Sequence, residues 1–189
     1  MASDSNKAEA EQEQTLVSQA IDGDADAFGV LYMQHLDAIY RFVFFRVADV
    51  HLAEDLTEEV FVRAWTAFPK YEPQGHRFTS WLYRIARNLI VDHYRKQSSR
   101  SSVDDPIMEN LPDPHSPPED QVADQQDLAS LARAVQQLGD DEQQVIILRF
   151  VEGLSHREVA EVIGKSEGAS RVIQHRALEL LAGLMDADE

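Results

Sequence analysis

The chain has 189 residues, no cysteine, and 34 acidic against 17 basic side chains, a formal charge of −17 at neutral pH. That length holds one medium domain or two small ones, and without cysteine there are no disulfides, thiolate metal sites or cysteine nucleophiles. The seven histidines lack H-x-x-x-H or H-E-x-x-H spacing, no apolar run approaches membrane-spanning length and the N-terminus is polar and acidic, so the expectation is a cytoplasmic protein with no metal and no membrane insertion.

Residues 1–13 are polar and poor in apolar side chains, which predicts a disordered tail. From Thr15, a helical pattern of Leu16, Val17, Ala20 and Ile21 runs to Asp22-Gly23-Asp24. Asp26 is placed to cap the next helix, in which Phe28, Leu31, Tyr32, His35, Leu36, Ile39 and Tyr40 recur at three-to-four spacing. Phe42, Val43, Phe44, Phe45 and Val47 extend it, dense enough in apolar groups for a central core helix. After a break at Asp49 to His51, a helix is expected from Ala53 to Phe68 with Leu56, Val60, Trp65 and Phe68 inward. Glu54, Asp55, Glu58 and Glu59 crowd its first half. Acids there favour the helix dipole, but four exceed what capping needs and suit docking on a basic protein surface. They have no accompanying nucleophile or metal motif, so catalysis is discounted.

Pro69 ends that helix, and K-Y-E-P-Q-G-H-R forms a loop. The stretch F-T-S-W-L-Y-R-I-A-R-N-L-I-V-D-H-Y-R-K-Q-S-S-R follows, and residues 75–100 carry six bases against one acid, Asp92. Residues 1–68, by contrast, hold thirteen acids and four bases. Phe78, Trp81, Tyr83 and Tyr94 are threaded among Arg77, Arg84, Arg87, Arg95 and Lys96, while Leu82, Ile85, Leu89 and Val91 offer an apolar stripe. Two readings fit: an amphipathic helix whose arginines keep one face wet, or a face for partly unstacked nucleic acid. In the second, cations neutralise phosphate, rings stack on bases and Asn88 bonds a base edge.

Beyond Lys96 the composition changes. Residues 101–127 hold eight acids and no base, with five prolines between Pro106 and Pro118, which predicts a linker. Helices resume near Gln121. Leu128, Leu131, Val135 and Leu138 form a stripe ending at Gly139, and Asp140 or Asp141 caps a helix holding Val145, Ile146, Leu148, Phe150 and Val151. Ser155 and Glu158 fit a capping box on a helix that ends at Gly164, and Ser166 caps the last helix. A short helix, small Ala160 at the crossing, a Gly-containing turn and a basic second helix make a helix-turn-helix pattern, favoured here over an ordinary helical hairpin. Ser166, Glu167, Ser170 and Arg171 would then reach base edges, with Gln174, His175 and Arg176 further along and Arg157 and Lys165 on phosphate.

Three segments, A-E-D-L-T-E-E-V-F-V-R-A-W, F-T-S-W-L-Y-R-I-A-R-N-L-I-V-D-H-Y-R-K and L-S-H-R-E-V-A-E-V-I-G-K-S-E-G-A, resemble in order and spacing the extracytoplasmic-function (ECF, group IV) sigma factors of bacterial RNA polymerase, in the sigma-70 family. The likeness runs from about Leu16 to Leu181. It implies an all-α protein: a σ2-like domain at 14–97, a flexible acidic linker at 98–124, a σ4-like helix-turn-helix domain at 125–184, and tails at 1–13 and 185–189. By the family pattern, Asp55, Leu56, Glu58, Glu59 and Phe61 dock on the clamp helices of core polymerase. Lys70, Arg77, Phe78, Trp81, Arg84, Arg87, Asn88, Asp92, Arg95 and Lys96 read and melt the minus-10 element, the last helix reads minus-35 DNA, and σ4 also meets the flap. The resemblance implies promoter DNA and a separate anti-sigma factor as partners, no cofactor and no catalytic residue.

Two departures from the family pattern stand out. Glu58 takes the place of a common Gln. In the last helix, A-S-R-V-I-Q-H-R-A puts Ser170 and Gln174 where aliphatics are usual, and Val172 and Ile173 where polar residues are usual. Either the recognition helix is rotated or its base-reading set differs. The competing readings are a stand-alone helix-turn-helix regulator acting without polymerase, and a nucleic-acid enzyme; neither explains both the carboxylate helix and the ring-studded basic stretch.

Overall fold

The computed structural model describes residues 2–73, 77–100 and 119–185, and all regular structure among them is helical. Helices α1 (Ala2–Ile21), α2 (Ala25–Val47), α3 (Val50–Ala67) and α4 (Phe78–Arg100) pack as one bundle; α5 (Glu119–Gln136), α6 (Asp140–Ile146), α7 (His156–Ile163) and α8 (Glu167–Met185) make a second. Helix α2 is the axis of the first, touching α1, α3 and α4, with Phe42 and Val43 fully buried. It also packs against α5, and α4 against α7, so the two bundles meet.

Several boundaries shift for local reasons. Helix α1 begins at Ala2, inside the stretch expected to be a tail: Ala, Glu and Gln are strong helix formers, and a lack of apolar residues weakens packing, not helicity. The cap of α2 is Asp24 and not Asp26; its carboxylate accepts from the Asp26 and Ala27 amides at 2.9 and 3.0 Å. Asp49 caps α3 the same way, accepting from Leu52 N–H at 2.7 Å, which starts that helix at Val50. Gly139 precedes α6 with no side-chain cap, so neither Asp140 nor Asp141 serves as one. The expected linker falls mostly on residues 101–118, outside the described residues, and its last part, 119–124, lies within α5.

Burial corrects three expected stripes. Trp65 is 38 % exposed, resting against Phe28 at 4.9 Å, and Ala64 takes the inward place on α3. In α4, Leu82 and Leu89 are buried but Val91 is exposed, and Ala86 and Ile90 complete the core face. In α5, Leu128 and Leu131 are exposed while Ala132, Val135 and Leu138 are buried. Phe150 points outward because Ile147–Val151 is a π-helical turn, closed by Glu152 N–H on the Ile147 carbonyl at 3.1 Å; one extra residue per turn shifts the phase that the sequence pattern assumes.

Candidate nucleic-acid interface

The basic face begins at the 3₁₀ turn Phe68–Lys70, where Pro69 stops α3 and folds the chain back toward α4. That reversal sets Tyr71 on Trp81, ring centroids 4.4 Å apart, with Phe68 and Phe78 at 5.5 and 5.7 Å from the same indole. Phe78 itself is buried, a core ring and not a DNA-facing one; Trp81 is half-buried, with an accessible edge. Asn88 lies two turns along the same side and is exposed, as are Lys70, Arg77, Arg95 and Lys96, whereas Arg84 and Arg87 are half-buried. Asp92 is half-buried and pairs with Arg95 at 2.9 Å, so it orients a cation rather than opposing one.

Three of these cations are held by the second bundle. Arg77 pairs with Glu158 at 2.8 Å, Arg84 donates to the Glu161 carbonyl at 2.5 Å, and Arg87 pairs with Asp140 at 3.3 Å. Burial works against ionisation of Asp140, but Arg46 and Arg87 outweigh it and hold that carboxyl below the usual range. Burial likewise opposes ionisation of Glu158, and hydrogen bonds from Ser155 with the charges of Arg77 and Arg149 again win. Burial beside the Glu152 carboxylate pushes the Tyr83 phenol well above its ordinary value. Carboxyls lowered on folding stabilise the protein above the ordinary carboxylate range, and that stability is lost as pH falls through the lowered values. Asp140→Asn is therefore expected to flatten the acid limb of a urea-midpoint-against-pH curve. An unchanged slope below pH ~4 would contradict the assignment.

The helix-turn-helix is built as its residues foretell. Ser155 Oγ accepts from Glu158 N–H at 3.3 Å while the Glu158 carboxylate accepts from Ser155 N–H at 2.7 Å. Gly164, at φ +69°, takes the left-handed turn that a β-carbon would strain, and Ser166 Oγ accepts from Ala169 N–H at 3.1 Å to start α8. Arg157, Lys165, Glu167, Arg171, His175 and Arg176 are exposed. Arg171 pairs with Glu167 at 2.5 Å, Lys165 with Asp141 at 3.0 Å, and His175 with Glu179 at 3.4 Å.

Ser170 is not on the base-reading face. It is fully buried, bonded to His156 Nδ1 at 3.0 Å, and half-buried Gln174 accepts from Arg149 Nε at 3.2 Å. Burial and the nearby Arg149 and Arg171 charges lower the His156 pKa, which favours a neutral ring. With Ser170 and Ala177 inside and Val172 59 % exposed, α8 is not rotated. A polar seam replaces an aliphatic one, and the outward set is Arg171, Val172, His175 and Arg176. Val172 is an outward apolar side chain that the sequence pattern alone reads as core.

On α3, Glu54, Asp55, Glu58 and Glu59 are exposed, Glu59 pairing with Arg63 at 2.7 Å. Leu56 and Phe61 are buried, the latter against Tyr32 at 4.6 Å, so they hold the helix in place and leave the acids to face outward. Among the described residues no group of three or more His, Asp or Glu could hold a metal ion, and no helix is long and apolar enough to cross a membrane.

Comparison with known proteins accounts for both bundles. The family model Sigma-70 region 2 matches residues 31–100 and Sigma-70, region 4 matches residues 128–181. The ECF RNA polymerase sigma factor BldN of Streptomyces coelicolor is 42 % identical over 173 residues, spanning 92 % of this chain and 66 % of BldN, just under two thirds of that relative. SigX of Bacillus subtilis, also an ECF RNA polymerase sigma factor, is 30 % identical over 85 % of this chain and 84 % of its own. Among solved structures, CnrH in complex with the cytosolic domain of CnrY superposes with a TM-score of 0.74 at 28 % identity, covering 94 % of this chain and 99 % of CnrH. Two region models in their proper order, relatives of that identity and an all-helical two-domain fold agree: the chain belongs to the ECF RNA polymerase sigma factors of the sigma-70 family, alternative sigma factors that direct the polymerase.

Proposed function

We propose that this chain, as a group IV sigma factor in the cytoplasm, docks on core RNA polymerase, reads promoter DNA at two elements and melts it, with no reaction of its own. The exposed acids Asp55, Glu58 and Glu59 of α3 meet the clamp helices, and the region 4 domain meets the flap. Lys70, Arg77, Arg84, Arg87, Asn88, Arg95 and Lys96 line the minus-10 strand, Trp81 stacks on an unstacked base, and Arg171, Val172, His175 and Arg176 enter the minus-35 major groove. The observation that carries the reading is Trp81, braced on Tyr71 yet half-open beside exposed Asn88 on a face of cations. That arrangement suits a single strand better than a duplex. A separate anti-sigma protein is the expected regulatory partner. A stand-alone regulator would leave the acidic face of α3 and the rings of α4 without a task.

In vitro transcription with core polymerase over a promoter library tests this reading. Specific initiation should appear only when chain and core are combined, and no affinity of core for the chain would sink it. In the same assay, reversing Asp55 and Glu58 together to Lys should weaken core binding by about tenfold or more, chiefly through loss of electrostatic complementarity.

A further inference from the structure

Glu13 is an acid on the inward face of its helix. Along α1 it shares a side with buried Val17 and Ala20 and stands one turn ahead of them. Its side chain is 24 % exposed, and its Oε1 lies 2.9 Å from Nε2 of His35, whose side chain is 11 % exposed. That contact has the distance of an ion pair without the alignment of a hydrogen bond. Drawing a carboxylate this far out of water costs stability unless something offsets it. The seating of α1 does not require it, because Leu16, Val17, Ala20 and Ile21 already pack the helix on the core.

The surroundings of the pair give it a task. The His35 ring meets Phe78 edge-on at 5.4 Å. Helix α1 also packs on the 3₁₀ turn Phe68–Lys70, and the Glu13 charge is felt at the ring that follows that turn. Burial raises the Tyr71 phenol above its ordinary value, and the Glu13 carboxylate raises it further against the opposing charge of Arg84. Directly at Tyr71, and through His35 at Phe78, Glu13 therefore reaches the two rings that flank Trp81 at 4.4 and 5.7 Å. Tyr71 stands outside the helices, its backbone N–H bonded to the Phe68 carbonyl at 2.9 Å, so its side chain takes its angle from what packs around it.

We propose that Glu13 and His35 are positioning residues for promoter melting, which together hold the rings on which Trp81 is mounted. Helix α1 then belongs to the melting apparatus, although it lies ahead of the residues 31–100 matched to region 2. The inference rests on the melting role proposed above for Trp81. Neither residue has to touch DNA. A base stacks well only on a ring at the right tilt, so a loosely mounted indole loses part of that contact. A ring already fixed in its bound orientation also gives up less freedom when a base arrives.

The full chain has two tryptophans, so Trp65→Phe leaves Trp81 as the only one and lets its fluorescence report the mounting directly. In that background Glu13→Gln keeps the shape of the side chain and removes its charge. It should raise acrylamide quenching of Trp81 in the free chain. With core polymerase it should slow open-complex formation by about three- to tenfold, part of the loss expected from removing the ring. Affinity for core polymerase, and for promoter duplex before melting, should stay unchanged. His35→Gln should act alike, and the double variant should be no worse than either single one, since both work through one contact. Unfolding midpoints set a temperature at which every variant compared is folded; if His35→Gln does not fold, Glu13→Gln carries the test alone. Unchanged quenching with unchanged melting in Glu13→Gln overturns the proposal. A loss of core affinity that matches the loss of open complexes also overturns it, because the pair would then serve docking. Greater quenching with normal melting overturns it when Trp81→Ala melts promoters slowly. When Trp81→Ala melts them normally too, the mounting of the ring stands and the melting assignment falls.

Discussion

Phe68→Ala is expected to cost about 3–5 kcal/mol of folding stability, a large share of the ~5–15 kcal/mol typical of a domain. The ring is fully buried where α3 gives way to the 3₁₀ turn, with Phe28, Tyr71, Phe78 and Trp81 at 5.4, 5.8, 5.5 and 5.5 Å. Removing it opens a cavity among aromatic neighbours that cannot collapse without moving α4, because Phe78 is anchored on the far side by His35 at 5.4 Å. Chemical unfolding would show a lower midpoint, and a loss of less than ~1 kcal/mol would mean that the rings pack against one another without Phe68. Since the same ring braces Trp81, the variant should also melt promoters poorly at temperatures where it remains folded.

Trp81→Ala and Asn88→Ala should instead spare polymerase affinity, at temperatures where each variant remains folded, while impairing open-complex formation. Asn88 is exposed and supports no packing, whereas half-buried Trp81 rests on Phe68, Tyr71 and Phe78, so its loss lowers stability by less than that of the fully buried Phe68. Stacking of one base on an aromatic ring is worth about 1–3 kcal/mol, which translates to roughly fivefold to more than hundredfold fewer open complexes for Trp81→Ala. Losing an amide that bonds a base edge costs less than a good bidentate contact, so Asn88→Ala should be the milder of the two. Permanganate footprinting of the melted strand distinguishes this from a docking defect. Normal reactivity in both variants would place the melting chemistry on another face of α4.

The features legible in the sequence were those set by local chemistry. Ser155, Glu158 and Gly164 announced α7 and its turn because capping and the left-handed conformation depend on residues a few positions apart. The core position of Phe42 followed from apolar density alone. What escaped detection depended on tertiary context. Phe78 looked like part of a DNA-facing aromatic set, yet it is the core ring against which the exposed members are held. Phe150 looked buried until the π-helical turn shifted its phase, and no periodicity argument anticipates that insertion. Ser170 stands among the first residues of the second helix, where a helix-turn-helix puts its base-reading side chains, yet its partner, His156, is fourteen residues away on another helix. The pairing of Arg77, Arg84 and Arg87 with the second bundle could not be read from a sequence in which those charges look free.

The polar seam beneath α8 has a consequence for transplanting recognition helices between relatives. An aliphatic seam tolerates small rotations, because dispersion contacts have no direction. Here the bond between Ser170 and His156 and that between Arg149 and Gln174 fix the helix about its own axis. A donor helix carrying aliphatics at positions 170 and 174 would leave His156 Nδ1 and Arg149 Nε without these partners in a half-buried seam. Such a chimera would lose the two bonds that set the angle of the helix unless His156 and Arg149 were exchanged with it. On the proposed reading of α8, the portable unit for changing promoter choice is therefore not one helix but a helix together with two side chains from the elements before it.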